Sequence, residues 1–318
     1  MQRSSGIRAV SFLAILCATL LGACSRTPDA PPPAAAVPAA VAEVPAAPKA
    51  ANIKTFMIGE LSATALRDGG MELANDNKEI AVGRTPEEVA ALLSAAGQPT
   101  DKLALSLQPL LVQTKDRVLL FDTGAGTLFG PGAGQLAGSL AEAGVEPQSV
   151  TDIFISHSHG DHVGGLVNAE GALAFPNATI HMSKAEWKHM SANERYGALN
   201  AAIKPKVDAF APGTQLVQGT VKAVDIKGHT PGHSGYLITS GGDSLLYIGD
   251  SMHHFVVSVQ KPDWTIAYDG DAPVAQKSRA DLIAQSAANG QRIYGVHFPF
   301  PGVGKFEKKG EGYVWAAE

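Results

Sequence analysis

After about residue 52, apolar and polar positions alternate in short runs, a pattern that predicts strands interrupted by helices. Thr55-Phe56-Met57-Ile58 reads as an opening strand. Thr85-Pro86-Glu87-Glu88 has the spacing of a capping box with proline at the first helical position, and Val89 to Ala96 continues that helix. Leu103 to Thr114 and Arg117 to Phe121 read as two strands around a Lys115-Asp116 turn, followed by the loop Asp122-Thr123-Gly124-Ala125-Gly126 and a helix over Gln135 to Ala143. Asp152 to Ile155 is a short apolar strand running into a histidine-rich loop. Further strands are expected at Thr179–Met182, Val221–Ile226, Gly235–Thr239 and Leu245–Ile248, then a long helix after Pro273 and a last strand over Arg292–Val296. Elements in this order suggest two packed sheets with helices outside.

The first two dozen residues differ in kind. Arg3 and Arg8 precede a run from Ala9 to Ala23 that is apolar apart from Ser11, Thr19 and Gly22. That run is short for a bilayer span and fits the apolar core of an export signal. It ends in Leu21-Gly22-Ala23-Cys24, which resembles the bacterial lipobox, where cleavage precedes the cysteine and its sulfur is acylated. Ser25 follows, which in such lipoproteins implies the outer membrane. Residues 25–50, rich in Ala, Pro and Val with Pro31-Pro32-Pro33 in a row, read as a semi-extended tether. The expected layout is a signal over 1–23, a tether over 24–51 and one domain over 52–318. The expected location is the bacterial envelope, with a lipid anchor at Cys24 on the outer membrane facing the periplasm.

Composition then removes several classes of function. Lys and Arg number 25 against 30 acids, a net charge of −5. Loss of the leader removes two arginines and no acid, so the mature chain is more acidic still, and no nucleic-acid partner is expected. Both cysteines, Cys17 and Cys24, lie in the leader. The domain has no thiol for a disulfide, a nucleophile or a metal.

The loop Ser156-His157-Ser158-His159-Gly160-Asp161-His162-Val163-Gly164-Gly165 gathers three of the chain's ten histidines. Two positions apart on an extended segment, His157 and His159 can point the same way and share one cation. Asp161 and His162 come a short turn later and can reach a second. Imidazole with carboxylate suits zinc, iron or manganese.

HxHxDH followed by Gly-Gly resembles the metallo-β-lactamase superfamily, which implies an α+β fold, a four-layer αβ/βα sandwich. The resemblance implies three further ligands in order, a histidine, an aspartate and a histidine. Gly228-His229-Thr230-Pro231-Gly232-His233 matches the family's second motif. The histidine after Pro-Gly, His233, is taken as the ligand, with His229 as a turn residue or a support for a ligand. Asp250, in Tyr247-Ile248-Gly249-Asp250, matches the bridging aspartate, and His297, in Gly295-Val296-His297, the last ligand. The implied first metal group is His157, His159 and His233, and the second is Asp161, His162 and His297, with Asp250 bridging. The implied cofactors are two divalent metal ions, Zn2+ in the first place, with Mn2+ or Fe2+ as substitutes. Asp122, in an Asp-Thr-Gly segment, is expected to support the metal loop. Two cations about 3.5–4 Å apart can hold a bridging hydroxide and polarise a substrate oxygen.

Within the superfamily, the absence of cysteine argues against a zinc β-lactamase, and the acidic chain against the ribonuclease branch. Glyoxalase II shares the ligand set, yet no clear basic cluster is present for a glutathione carboxylate. Phe121 to Gly126, Phe129-Gly130-Pro131, Ala143-Gly144-Val145, His297 to Gly302 and Gly312-Tyr313-Val314-Trp315 resemble the methyl parathion hydrolase and lactonase/arylesterase group. That resemblance implies hydrolysis of lactones, aryl esters or related esters, phosphotriesters among them, by a chain that dimerises as its relatives do. The acyl-homoserine lactonases carry tyrosine three residues after the bridging aspartate. Here His253 stands there, a candidate catalytic residue that donates to the substrate oxygen, beside Asp161. An iron-dependent oxidoreductase of the same superfamily and a tethered, non-catalytic binding protein remain open alternatives. Trp264, Phe298 and Phe300 are candidate pocket walls, with core packing the other reading, above all for Trp264. His181 and His189, away from the motifs, are expected on the surface. The run Lys305 to Lys309 is expected at an exposed hairpin tip.

Overall fold

The computed structural model describes residues 52–130 and 132–318. The expected signal, the tether, Cys24 and Pro131 lie outside them. In chain order the strands and helices begin with β1 (Ile53–Ile58), β2 (Leu61–Leu66), β3 (Gly69–Ala74), β4 (Ile80–Val82) and α1 (Pro86–Ala95). Next come β5 (Lys102–Leu107), β6 (Leu110–Gln113), β7 (Val118–Phe121), α2 (Leu136–Glu142), β8 (Asp152–Phe154) and α3 (Gly160–Val163). β9 (Thr179–Ser183), α4 (Lys184–Ser191), α5 (Gly197–Ile203) and β10 (Val207–Phe210) complete the first half. The second half holds β11 (Gln215–Val217), β12 (Val221–Asp225), β13 (Ser234–Ser240), β14 (Asp243–Tyr247) and α6 (Val257–Gln260). It ends with β15 (Thr265–Ile266), α7 (Ala272–Asn289), β16 (Arg292–Tyr294), β17 (Val303–Lys309) and β18 (Gly312–Ala317).

Two seven-stranded sheets form, in the orders β1-β2-β6-β7-β8-β9-β10 and β11-β12-β13-β14-β16-β17-β18. Their facing sides share one core. On β7, Leu119 and Phe121 point into it with Tyr236, Leu245 and Tyr247 from the other sheet. Leu120, between them, points outward to Leu136 of α2, Met190 of α4 and Ile203 of α5. On β14, Leu246 likewise leaves the shared core and packs with Ile283 of α7. Period-two alternation on strands covered on both faces thus produces four layers, helix–sheet–sheet–helix, as expected for an α+β sandwich of this type.

Capping sets the helix limits as the sequence suggests. Thr85 Oγ1 accepts from Glu88 N–H, and Glu88 reaches back to Thr85 N–H. Asp271 caps α7, whose end is closed by Gly290 in the left-handed conformation at φ 63°.

Several boundaries differ from expectation. The run Leu103 to Thr114 is two strands in different sheets, since β5 pairs with β3 and β6 with β2. Pro109 has no N–H for a ladder, and the Gln108 side chain donates to the carbonyls of Gly295 and Phe298. β16 is followed by the β17–β18 hairpin, so it is not the last strand. His181 is buried, not exposed: its Nε2 lies 3.0 Å from Asp152, itself held by Arg117. His189 is on the surface.

Candidate metal centre

The candidate ligands sit in loops beyond the ends of β8, β12, β14 and β16, with Asp122 in the loop after β7. In each sheet the parallel neighbours, β7-β8-β9 and β14-β16, deliver those loops to one edge. The histidine loop leaves β8 and enters α3, and Gly164 and Gly165 follow at once. A Cβ on Gly165 would fall on the Thr123 carbonyl oxygen, and one on Gly164 on that of Ala125. The Gly-Gly pair therefore lets the histidine loop lie against the Asp122–Gly126 loop.

Two groups of ligand atoms result. His157, His159, His229 and Asp250 form one; Asp161, His162, Asp250 and His297 form the other, with each group's atoms within 4.8 Å of one another. In the first, His157 Nε2 lies 3.0 Å from His159 Nδ1 and 3.2 Å from His229 Nε2, and the last two are 3.1 Å apart. Ligands on a tetrahedral zinc at its usual Zn–N distance stand about 3.3 Å from each other. In the second, Asp250 Oδ1 is 3.1 Å from His162 Nε2 and 2.9 Å from His297 Nε2, with Asp161 Oδ2 3.4 Å from His162 Nε2. His162 Nε2 and Asp250 Oδ1 are buried with no hydrogen-bond partner among the described residues. Orphaned atoms of this kind, converging from imidazole and carboxylate, fit a pair of cations.

The structure reverses one assignment. His233, expected as a ligand, spends both ring nitrogens elsewhere: Nδ1–H donates to Ile226 O at 2.9 Å, and Nε2 accepts from Asp250 N–H at 2.9 Å. His229, expected as a support, stands in the first group instead. Both histidines belong to the same Gly-His-Thr-Pro-Gly-His turn, and spacing alone does not tell which one faces the loop after β8.

The remaining nitrogens of the ligand histidines are fixed by neighbours. His162 Nδ1–H donates to Asp122 at 2.8 Å, His229 Nδ1–H to Asp269 at 3.0 Å and His297 Nδ1–H to Ser106 O at 2.8 Å. Asp122 holds φ at 55°, a strained value for a non-glycine residue. Its carboxylate also accepts from Ser156 N–H, Ser156 Oγ and Tyr247 Oη at 2.7–2.8 Å, tying β7, β8 and β14 at the site. Burial disfavours the charged form of His162, but the carboxylates of Asp250, Asp161 and Asp122 outweigh it and hold its pKa well above the ordinary value. Burial also works against the Asp250 carboxylate, which His162, His297 and His157 nevertheless keep well below the usual range.

Three buried residues that sequence reasoning missed hold the site together. Glu186, from α4, accepts from Ser158 N–H and Oγ, Thr230 Oγ1 and Gly232 N–H, joining the two histidine motifs. Asp68 accepts from Ala125, Gly134 and Leu136 N–H, pinning the loop that overhangs the metal centre. Arg279 donates to Asp269 at 2.7 Å with both side chains buried. Arg279 was open to detection, since with Ala275, Ile283 and Ser286 it lies on the buried stripe of α7. Glu186 has the capping-box spacing after Ser183, a pattern that marks a helix start and not a site residue, and no local pattern marks Asp68.

Beside the metal centre is a cavity of about 260 Å³ lined by Met71, Leu105, Leu128, Phe129, Tyr196 and Tyr268, with Arg195 at one side. His253 lines it too, with Nε2 3.3 Å from Asp250 Oδ2 and its ring stacked on His297. The expected walls are elsewhere. Trp264 packs with α1 and α6, Phe298 is buried under the second sheet, and Phe300 faces a different cavity.

The pattern of the metallo-beta-lactamase superfamily matches residues 109–297. AidC, described as a dizinc quorum-quenching lactonase in complex with the product N-hexnoyl-L-homoserine, superposes with a TM-score of 0.78 at 31% identity, covering 84% of this chain and 97% of that one. A probable metallo-hydrolase of Mycobacterium bovis is 26% identical over 187 residues, 48% of this chain and 58% of that protein. Ribonuclease Z of Microcystis aeruginosa is 26% identical over 157 residues, 48% of this chain and 46% of its own length. The chain thus covers less than two thirds of these curated relatives. A family pattern that runs through more than half of the sequence, from the start of β6 to His297, makes this chain a member of the metallo-β-lactamase superfamily.

Proposed function

We propose that the protein is a metal-dependent hydrolase that opens lactones, aryl esters or related esters. The observation that carries this reading is the pair of buried ligand groups sharing Asp250, opening onto a small apolar cavity. His157, His159 and His229 would hold one divalent ion, Asp161, His162 and His297 the other, with Asp250 between them. When bound, the metal pair supplies Lewis acidity and a water activated for attack at neutral pH.

The chain's own residues supply the rest. Asp122, Asp269 and the Ser106 carbonyl hold His162, His229 and His297 in the tautomer that presents Nε2 to the metals. Met71, Leu105, Leu128 and Phe129 exclude water from the substrate's apolar part. His253 donates to the substrate oxygen from the cavity wall. A site of this size, with one arginine beside it, suits a small ester better than a polynucleotide, whose backbone asks for a basic track. The lactonase relative with its bound acyl-homoserine product supports a substrate of that class.

Residues 1–24 support export and lipid anchoring at Cys24, and the reaction is proposed to take place in the envelope. Fractionation of cells making the wild type and Cys24→Ala tests it: the wild type should sediment with membranes and the variant should not.

For the reaction, Asp161→Ala should lose lactone or ester turnover while its circular dichroism stays that of the wild type. Retained turnover would refute the reading.

A further inference from the structure

On the far side of the paired strands β3 and β5 from the substrate pocket lies a second and larger cavity, about 810 Å³. Leu105 of β5 lines both, so one strand is the partition between them. The volume is within the range of small-molecule sites.

Two of its polar groups, Arg67 and His254, are donors without acceptors among the described residues. Arg67 spreads its guanidinium over the Phe300 ring, 4.2 Å from the centroid, and forms no ion pair or side-chain hydrogen bond among the described residues. Its Nε is buried with no partner. A guanidinium whose face is covered by an aromatic ring keeps its edge N–H groups for a planar acceptor. His254, 3% exposed, lines the same cavity. Its Nδ1 accepts from the N–H groups of Val256 (3.2 Å) and Val257 (3.3 Å), so the ring proton is on Nε2. That Nε2–H has no acceptor among the described residues. Burial lowers the His254 pKa to about 4, which keeps the ring neutral and the tautomer fixed near pH 7.

The other charges lining the cavity are Lys102 and Glu72, which neutralise each other at 2.7 Å, leaving Arg67 as the uncompensated one. Phe255, Pro299 and Phe300 make the apolar walls. Two donor groups of different elements, one of them charged, facing an apolar volume match a carboxylate on a flat or short apolar body.

We propose that this cavity is a second ligand site, separate from the metal centre, which takes a small organic carboxylate on Arg67 and His254. The proposal does not depend on the reaction assigned above.

The test is a fluorine NMR titration of the full chain with 4-fluorobenzoate, before and after metal is removed with a chelator. Saturable binding in the millimolar range should persist without metal, because the metal centre is not the site. The uncharged 4-fluorobenzamide should bind about tenfold or more weakly. Arg67→Gln should weaken the benzoate by a similar factor while the fold is kept. Its melting temperature should fall by no more than a few degrees, since the side chain makes no hydrogen bond among the described residues and only its packing on Phe300 is lost. His254→Asn keeps an acceptor for the Val256 and Val257 N–H groups and removes the Nε2 donor, so it should weaken binding several-fold. Binding that vanishes with the metal, is equal for the benzamide, or is untouched in both variants would overturn the proposal.

Discussion

Asp269 Oδ1 lies 3.0 Å from His229 Nδ1, and this contact decides which nitrogen His229 offers to the site. The other oxygen of the same carboxylate is held by Arg279 at 2.7 Å, and Arg279 Nε is held in turn by Ser251 O. A chain of buried contacts thus runs from the middle of α7 to the metal centre. Asp269→Asn should keep the fold and weaken the first metal by about 10- to 100-fold. Competition with a chromophoric chelator reads it, and unchanged affinity would mean that His229 is oriented by something else.

Removing the far end of that chain should act chiefly on stability. Arg279→Met leaves Asp269 buried without its cation, a loss expected to cost about 3–5 kcal/mol. Urea unfolding of the two proteins measures it. A difference below about 1 kcal/mol would show that Asp269 is not charged in the folded protein.

The exchange of roles between His229 and His233 has a direct consequence. His229→Ala should bind one fewer equivalent of divalent metal than the wild type. His233→Ala should keep two equivalents but melt at a lower temperature, because the Ile226 carbonyl and the Asp250 N–H lose their partner. Metal analysis after gel filtration separates the two, and the opposite pattern would restore His233 as the ligand.

Asp122 carries four contacts on one carboxylate in a strained backbone conformation. Asp122→Ala leaves buried donors of Ser156, Tyr247 and His162 unmet, and should destabilise the fold by about 3–5 kcal/mol. A drop of several degrees or more in melting temperature is the expected readout. An unchanged one would mean that the three strands are held together without it.

Away from the metal centre, Asp152 gives a pH prediction. Burial alone would raise its pKa, but His181, Thr151 and Arg117 bring it down to about 2 from an ordinary 3.8. A carboxylate depressed on folding contributes stability that is complete above about pH 4 and is lost as the pH falls towards 2. Asp152→Asn should therefore show a flatter fall in stability than the wild type over that window. Parallel acid titrations of unfolding free energy read the difference, and identical slopes would remove Asp152 as the source.

Local chemistry made much of the molecule legible before its structure. The capping box at Thr85, the strand that delivers His157, and the proline that opens α7 are all set by neighbours in sequence. Six of the seven residues named as ligands converge in space: the short spacings of HxHxDH leave four of them little freedom, and the parallel strands β14 and β16 bring Asp250 and His297 to the same edge. What local sequence does not fix is set by contacts across the chain. Pro109 divides one apolar run between two sheets, Glu186 joins motifs that lie far apart, and only the packing of the Thr230–Gly232 turn on α4 decides between His229 and His233. Two apolar walls of the substrate cavity, Leu128 and Phe129, come from a loop whose course depends on Asp68, which looks like any other acid in the sequence.

Ester opening by this protein is expected to need both metal ions at once, and stepwise metal loading tests that link most directly. Full-length protein freed of metal and then given zero, one or two equivalents of zinc should be assayed on a lactone, an aryl ester and a phosphotriester. Turnover of the lactone or ester that reaches its full value only at two equivalents, and is absent in Asp161→Ala, is the predicted result. A folded protein holding two equivalents with no turnover of any of the three would contradict it.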